Sequence, residues 1–133
     1  MSENLDLVRS IYANWERGDF SEVEWADADI EYVIVGGPDP GVWKGRAAMA
    51  RAWAGVLSAY SGAHIEADEY RVLDGRRVLV RLHAHGRGRA SGLELGGDKQ
   101  SGANVFHIED GRVTRLIVYF DRDRAFADLG LEE

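Results

Sequence analysis

The chain contains no cysteine, so neither disulfide bonds nor thiolate metal sites are available to it. No apolar run approaches the roughly 18–20 residues that a membrane-spanning helix requires. The start of the chain, Met1 to Asp6, is polar and acidic and lacks the basic and apolar regions of a secretory signal. We therefore expect a cytoplasmic protein without a membrane partner.

Positive charge is also scarce, since the formal net charge is −7. Nucleic acids and anionic membranes attract proteins through a strong positive field, so neither is expected as a partner. With 133 residues, 45% of them hydrophobic, the chain is long enough to build one core without crosslinks. We expect a single domain over residues 1–133.

Apolar periodicity predicts three helices in the first half of the chain. The first carries an apolar face and ends at Gly18. Asp19 and Glu22 are spaced as in a capping box, which predicts a second, short helix there. The third is expected over Arg46–Leu57, with Ser61-Gly62 as its stop signal. The apolar face of the first helix consists of Leu5, Val8, Tyr12 and Trp15.

The second half of the chain is predicted to be mainly β. Asp74-Gly75 and Asp110-Gly111 are strong signals for two-residue hairpins, and Ser91-Gly92 is a weaker one. Asp121 to Leu129 is predicted to be a terminal helix. Helices followed by an antiparallel meander indicate an α+β domain with helices on one face of the sheet. The predicted strands are 30–35, 65–73, 78–89, one ending at 105–108, and 113–120.

Two strands indicate how the sheet faces its surroundings. In one, Arg81 and His83 alternate with Val80 and Leu82, so a basic face opposes an apolar face. The basic face is expected to pair with acidic neighbours or to lie in an interface. The last strand is apolar on both faces, and the helices are expected to cover only one of them. We therefore predict a homodimer through the outer sheet face.

Four stretches of the chain carry a family resemblance: VRSIYANWERGDF, IEYVIVGGPDPGVWKGR, GRGRASG and DGRVTRLIVYFDRDRAFADLG. They resemble the nuclear transport factor 2-like superfamily, and in detail its SnoaL-like (polyketide cyclase-like) branch. The resemblance implies a cone in which three N-terminal helices pack on a strongly curved, mostly antiparallel sheet and enclose a pocket. It also implies a homodimer, but no single activity, because the fold hosts isomerases, cyclases, hydrolases and binding proteins. Gly96 to Gly102 departs from the pattern.

Helix face and strand parity predict which side chains line this pocket. The chain has four tryptophans, and a cavity lined by several of them favours an apolar, ring-bearing ligand. The alternative is that the same aromatic side chains simply fill the core. The predicted ligand-binding residues are Trp15, Tyr32, Trp43, Trp53, Leu82, Asn104, Phe106, Leu116 and Phe120, with Ile11 beside them.

Three polar residues are catalytic candidates. Asn104 alternates with Phe106, so it points inward and can donate a hydrogen bond to a carbonyl oxygen. The resemblance places it where ketosteroid isomerases carry an acid, and places Tyr32 and Ile11 where they carry the catalytic Asp and Tyr. Both are departures from that chemistry. Tyr32 is nevertheless the second candidate, as a group that donates a hydrogen bond or orients a ligand, since a phenol is a poor base at neutral pH. Asp121 is a candidate proton shuttle, although an Asp before a helix is also a favoured N-cap.

No cofactor and no metal are expected. His83 and His85 share one strand face, but arginines on that face would repel a cation and a third ligand is missing. The residues favour a protein that binds a small apolar molecule. A cofactor-independent cyclase, isomerase or hydrolase acting on an apolar oxygen-bearing compound is the alternative. A third interpretation is an oligomerisation module that binds no ligand, for which a filled interior is expected.

Overall fold

The computed structural model describes residues 2–20, 23–36, 41–57, 60–88, 94–95, 101–119 and 121–131. Within these ranges the chain forms three helices and seven strands. In chain order they are α1 (Ser2–Glu16), β1 (Ala26–Val35), β2 (Gly41–Lys44), α2 (Arg46–Leu57), β3 (Tyr60–Val72), β4 (Arg77–Gly88), β5 (Glu94–Leu95), β6 (Ser101–Glu109), β7 (Arg112–Tyr119) and α3 (Arg122–Leu129).

The strands form one mixed sheet in the order β2-β1-β7-β6-β4-β3, with β5 paired to β4. Only the β1–β7 pair is parallel among the described strand pairs. The α+β class and the mostly antiparallel sheet are therefore confirmed. The predicted three N-terminal helices are wrong, because α2 follows β2 and α3 comes after β7.

The predicted second helix is absent from the described part of its range. Gly18 ends α1 with φ 79°, and the backbone N–H of Asp19 then donates to the Asn14 carbonyl. The next residue, Phe20, stacks on Trp15. Residues 21 and 22, which complete the predicted helix, lie outside the described residues.

The prediction that Ser61-Gly62 stops α2 is wrong. Ser61 and Gly62 are part of β3, where Ser61 pairs with Arg87 of β4. The register shifts between Ser61 and His64, which is a bulge that accommodates a glycine inside a strand. Long-range pairing with β4 has therefore outweighed a local turn signal.

The two strong hairpin signals have different outcomes. Asp110 and Gly111 both have positive φ, 52° and 75°, so they form the predicted two-residue turn. At the other hairpin the Leu73 N–H donates to the Arg77 carbonyl, which leaves three residues in the loop. The Asp74 carboxylate accepts hydrogen bonds from the N–H groups of Arg76 and Arg77. The third candidate turn, Ser91-Gly92, lies outside the described residues.

Apolar side chains pack on both faces of the sheet. The inner face meets α1 and α2, and the outer face meets α3. The expectation that helices cover only one face is therefore wrong, because Ala125 and Phe126 of α3 fill the outer face. Leu79, Ala103 and Val105 are completely buried beneath them. The homodimer stays a prediction.

The strand parity predicted for β4 is confirmed. Val80 and Leu82 belong to the inner core, while Arg81 and His83 lie on the outer face. His83 faces two carboxylates: its Nε2 lies 3.3 Å from Glu66 and its Nδ1 lies 2.7 Å from Asp68. The basic stripe is thus paired with acidic neighbours, as expected. Among the described helices, none is long and apolar enough to cross a bilayer.

Candidate functional site

The candidate site is an aromatic cluster on the inner face of the sheet, centred on Trp15. Its rings come from α1, the following turn, β1, β2, α2, β3 and β6. Trp15 lies 4.9 Å from Tyr12 and 5.5 Å from Trp53, both edge to face. The other rings within about 6 Å of Trp15 are Phe20, Trp25 and Phe106. Three more rings contact the edge of this group. Tyr32 contacts Trp53, and Trp43 in turn contacts Tyr32. Tyr70 contacts Tyr12.

Local structure explains why these rings meet. The three- and four-residue spacing along α1 puts Tyr12 and Trp15 on one helix face. In β1 the burial alternates from Ile30 onward, so Tyr32 faces the same side as Ile34. Tyr32 is paired with Trp43 across the β1–β2 ladder and with Leu116 across the β1–β7 ladder.

The deep end of this region is filled by side chains. Tyr12 and Phe106 are 0% exposed, Leu116 is 1% exposed and Trp15 is 3% exposed. These four side chains are therefore closely packed against other protein atoms. The less buried rings, Phe20, Trp43 and Trp53, lie toward the solvent side of the same cluster.

Asn104 is the only buried polar residue among the described side chains. Its Nδ2 donates a 2.8 Å hydrogen bond to the Tyr12 hydroxyl. The sequence predicted the inward-facing Asn104 but not its partner, because Tyr12 was assigned only to the apolar face of α1. The signal was present in that spacing, since a Tyr buried on an apolar face needs a hydrogen-bond partner.

The tyrosines of the cluster act as neutral groups. Burial raises the pKa of Tyr12 well above its ordinary value, although the hydrogen bond from Asn104 opposes the rise. Burial likewise raises the pKa of Tyr32 to about 12, against a hydrogen bond from the Trp53 indole. Both phenols therefore stay protonated at neutral pH, so they can donate hydrogen bonds but cannot serve as bases.

Replacing Asn104 by leucine is expected to lower the free energy of unfolding by about 1–3 kcal/mol, because the Tyr12 hydroxyl loses its partner inside the core. Chemical denaturation measures the change. Adding Tyr12→Phe should recover part of the loss, since the orphaned hydroxyl is then removed. Simple additivity of the two substitutions in this double-mutant cycle would show that the pair does not interact.

Asp121 is placed at the start of α3. It is exposed, its backbone is extended, and its carboxylate accepts a 3.0 Å hydrogen bond from the Asp123 N–H. Asp121 is thus an N-cap of the helix that covers the outer face. None of the side chains of the inner-face cluster contacts it through a described hydrogen bond. Phe120, the last predicted ligand-binding residue, lies outside the described residues, as does most of Gly96–Gly102.

The described residues offer no site for a metal ion and only one groove with charged side chains. No group of three or more carboxylate or imidazole side chains among the described residues is arranged to hold a metal ion. A shallow groove at the β3–β4 hairpin is lined by Asp74, Arg76, Arg77 and His107. The Asp74 carboxylate there is already engaged by the Arg77 guanidinium, at 2.8 Å.

Comparison with known structures identifies the fold. A nuclear transport factor 2-like protein of unknown function from Burkholderia pseudomallei aligns with a TM-score of 0.77 at 19% identity, over 96% of this chain and 97% of that one. TerC, crystallised with polyporic acid, aligns with a TM-score of 0.75 at 22% identity, over 96% and 98%. A candidate polyketide cyclase from Sinorhizobium meliloti has a TM-score of 0.63 at 25% identity, over 89% and 98%.

No curated protein sequence matches the chain. A family model does match it: the SnoaL-like domain model aligns with residues 8–116. That range extends from α1 into β7 and contains the aromatic cluster, including Tyr12 and Asn104. The chain therefore belongs to the SnoaL-like domain family, as its sequence pattern predicted.

Proposed function

We propose that this chain binds a small, apolar, ring-bearing molecule that carries an oxygen, inside the aromatic cluster on the inner face of the sheet. The observation that carries the proposal is the buried Asn104–Tyr12 hydrogen bond, since it is a polar pair inside an otherwise apolar aromatic shell. Trp43 and Trp53 are proposed to line the solvent side of the site, and the more deeply buried Trp15, Phe106 and Leu116 to form its packed floor. The other proposed members are Tyr32, Leu82 and Asn104, with Phe120 as a further predicted one.

Charge and chemistry select the ligand class. Among the described residues the buried core holds no carboxylate, guanidinium, ammonium or imidazole group. An ion entering this region would lose its hydration without meeting a countercharge, so neutral molecules are favoured. Amide and phenol groups can hydrogen-bond a ligand carbonyl or hydroxyl, and the surrounding rings can stack on its flat faces.

The fold neighbours are consistent with such a ligand. TerC was crystallised with polyporic acid, so one protein of this fold has been studied with an organic ligand. At 22% identity that likeness supports the fold alone, and the ligand class for this chain rests on its own residues.

A thermal-shift experiment tests the proposal. 1-Tetralone and 1,4-naphthoquinone are expected to raise the melting temperature of the wild type by about 3 °C or more when well above their dissociation constants, while naphthalene does less. Asn104→Ala should abolish this preference for oxygenated compounds, and Asp121→Asn should keep it. If no compound of the set stabilises the wild type, the binding proposal fails.

The runner-up is a cofactor-independent enzyme acting on the same class of compound. Asn104, Tyr12 and Tyr32 are neutral donors of the kind that polarise a carbonyl oxygen, which favours this reading. Since the buried core offers no base among the described residues, Asp121 would have to move the proton. Wild type should then accelerate deuterium exchange at the α-carbon of 1-tetralone, and Asp121→Asn should not. Equal rates in both proteins would exclude it.

The homodimer belongs here as a second, separate proposal. Val35 and Ile117 lie at the margin of the outer-face cluster and are only half-buried, so part of that face is left to a partner. Because α3 already covers the centre, the interface would run along β1 and β7 beside it. Sedimentation at several protein concentrations distinguishes a dimer from a monomer.

A further inference from the structure

Trp53 is central to the aromatic cluster and yet only half-buried. Its ring stacks on Trp25, with an interplanar angle of 29° and a centroid separation of 5.9 Å. Three more rings stand nearly perpendicular to it: Trp15, Phe20 and Tyr32. The indole of Trp53 therefore occupies a slot formed by one ring stacked on it and three rings nearly perpendicular to it.

The slot also contains a polar group that suits the indole. The Trp53 N–H hydrogen-bonds to the hydroxyl of Tyr32, which is buried and 6% exposed. An indole N–H can only donate, so the Tyr32 oxygen is the acceptor. Any group that replaced the indole would have to satisfy that oxygen, or leave a buried polar atom with a lost partner.

Trp53 is held less firmly than the rings behind it. It lies on α2, where Met49 is the only completely buried residue among the described side chains of the helix. Ala50, Arg51 and Ala54 of the same helix are exposed. Tyr12 and Phe106, by contrast, have no exposed surface. A rotation of the Trp53 side chain toward solvent disturbs less packing than a movement of either of them.

We propose that Trp53 acts as an internal ligand: its indole occupies the binding slot and is displaced by a planar bicyclic aromatic molecule that carries one O–H or N–H donor. The incoming ring system stacks on Trp25 and its donor binds the Tyr32 hydroxyl. This inference rests on the proposed function, and it adds where a ligand binds and which group favours its binding there.

The proposal predicts the direction in which the ligand affinity changes when Trp53 is removed. A residue that only lined the site would change the affinity in the opposite direction. If Trp53 competes with the ligand, only the fraction of molecules with the slot open can bind, and the apparent affinity is reduced by that fraction. Removing the indole then raises the affinity. If Trp53 is instead part of the wall that contacts the ligand, removing it takes away stacking surface and lowers the affinity.

Titration calorimetry with 2-naphthol tests this direction. Trp53→Ala is expected to bind 2-naphthol about tenfold more tightly than wild type. Trp43→Ala is the matched comparison: Trp43 is a proposed contact residue beside Tyr32 and does not occupy the slot, so its removal should lower the affinity. Trp53→Phe is the second variant if alanine prevents folding. It should gain affinity because its ring lacks the N–H that binds Tyr32, and the factor should be smaller because a ring still occupies the slot.

Two further measurements separate displacement from the filling of an artificial hole. Both wild type and Trp53→Ala should prefer 2-naphthol to naphthalene, which has the same rings without the donor, and Tyr32→Phe should abolish the preference. In nitrogen-15 spectra, 2-naphthol should shift the indole resonance that Trp53→Phe removes toward that of a solvent-exposed indole.

Each opposing result has a distinct meaning. Weaker binding of 2-naphthol to Trp53→Ala and to Trp53→Phe than to wild type overturns the internal-ligand proposal, and binding in the cluster would still stand. An unchanged Trp53 indole resonance in the wild-type complex also overturns it. The proposed function fails separately, when neither 1-tetralone nor 1,4-naphthoquinone stabilises the wild type.

Discussion

Replacing Trp15 with alanine is expected to lower the free energy of unfolding by about 3–5 kcal/mol, as for other large aromatic residues removed from a core. Trp15 is 3% exposed and its ring meets five other aromatic rings. The substitution would leave a cavity that these rings cannot close without leaving their own contacts. Urea denaturation, followed by circular dichroism, measures the change.

Trp43→Ala is the control for this prediction. Trp43 lies on the edge strand β2, is half-buried, and has one described ring contact, with Tyr32 at a centroid distance of 6.0 Å. Its loss should therefore cost at most about 2 kcal/mol. If Trp15→Ala were no more destabilising than Trp43→Ala, the cluster centred on Trp15 would not be the main core.

The sequence predicted the inner side of the molecule well because its signals there are local. The spacing of Tyr12 and Trp15 lies within one helix, and the alternation of Asn104 and Phe106 lies within one strand. Each pattern predicts which side chains face inward. It does not predict which of them meet, since the Asn104–Tyr12 contact joins residues 92 positions apart.

The predicted end of α2 failed because a distant contact outweighed a local signal. Pairing with β4 drew Ser61-Gly62 into a strand. A pattern of turn residues describes what a segment prefers alone, and tertiary packing of a few kcal/mol exceeds that preference.

The outer face is the most instructive error. The two apolar faces of β7 were predicted correctly from Leu116 to Tyr119, and a covering element was correctly required. Val113 was predicted to share the face of Ile117 but belongs to the inner core, because the β6–β7 register shifts beside it. The predicted terminal helix was not considered as that element. In the structure α3 covers the outer face, because its Ala125 and Phe126 pack against the sheet. The need to cover an apolar surface can be read from sequence. Whether the cover comes from the same chain depends on where the chain goes next.

Phe126→Ala is the prediction that tests this cover. Phe126 is 3% exposed, and the guanidinium groups of Arg71 and Arg81 lie over its ring at 5.4 and 5.7 Å from the centroid. Removing the ring takes away its burial and both cation–π contacts, so the free energy of unfolding should fall by about 3–5 kcal/mol. Chemical denaturation gives the value.

Arg124→Ala is the matched control, because Arg124 is on the same helix with its side chain 60% exposed and an i,i+4 ion pair to Asp128. Its effect should stay within about 0.5 kcal/mol. Phe126→Ala should also release α3 and expose Leu79 and Val105, so this variant should self-associate more strongly with rising concentration in sedimentation experiments. A stable Phe126→Ala protein with unchanged association would mean that α3 does not hold the outer face closed.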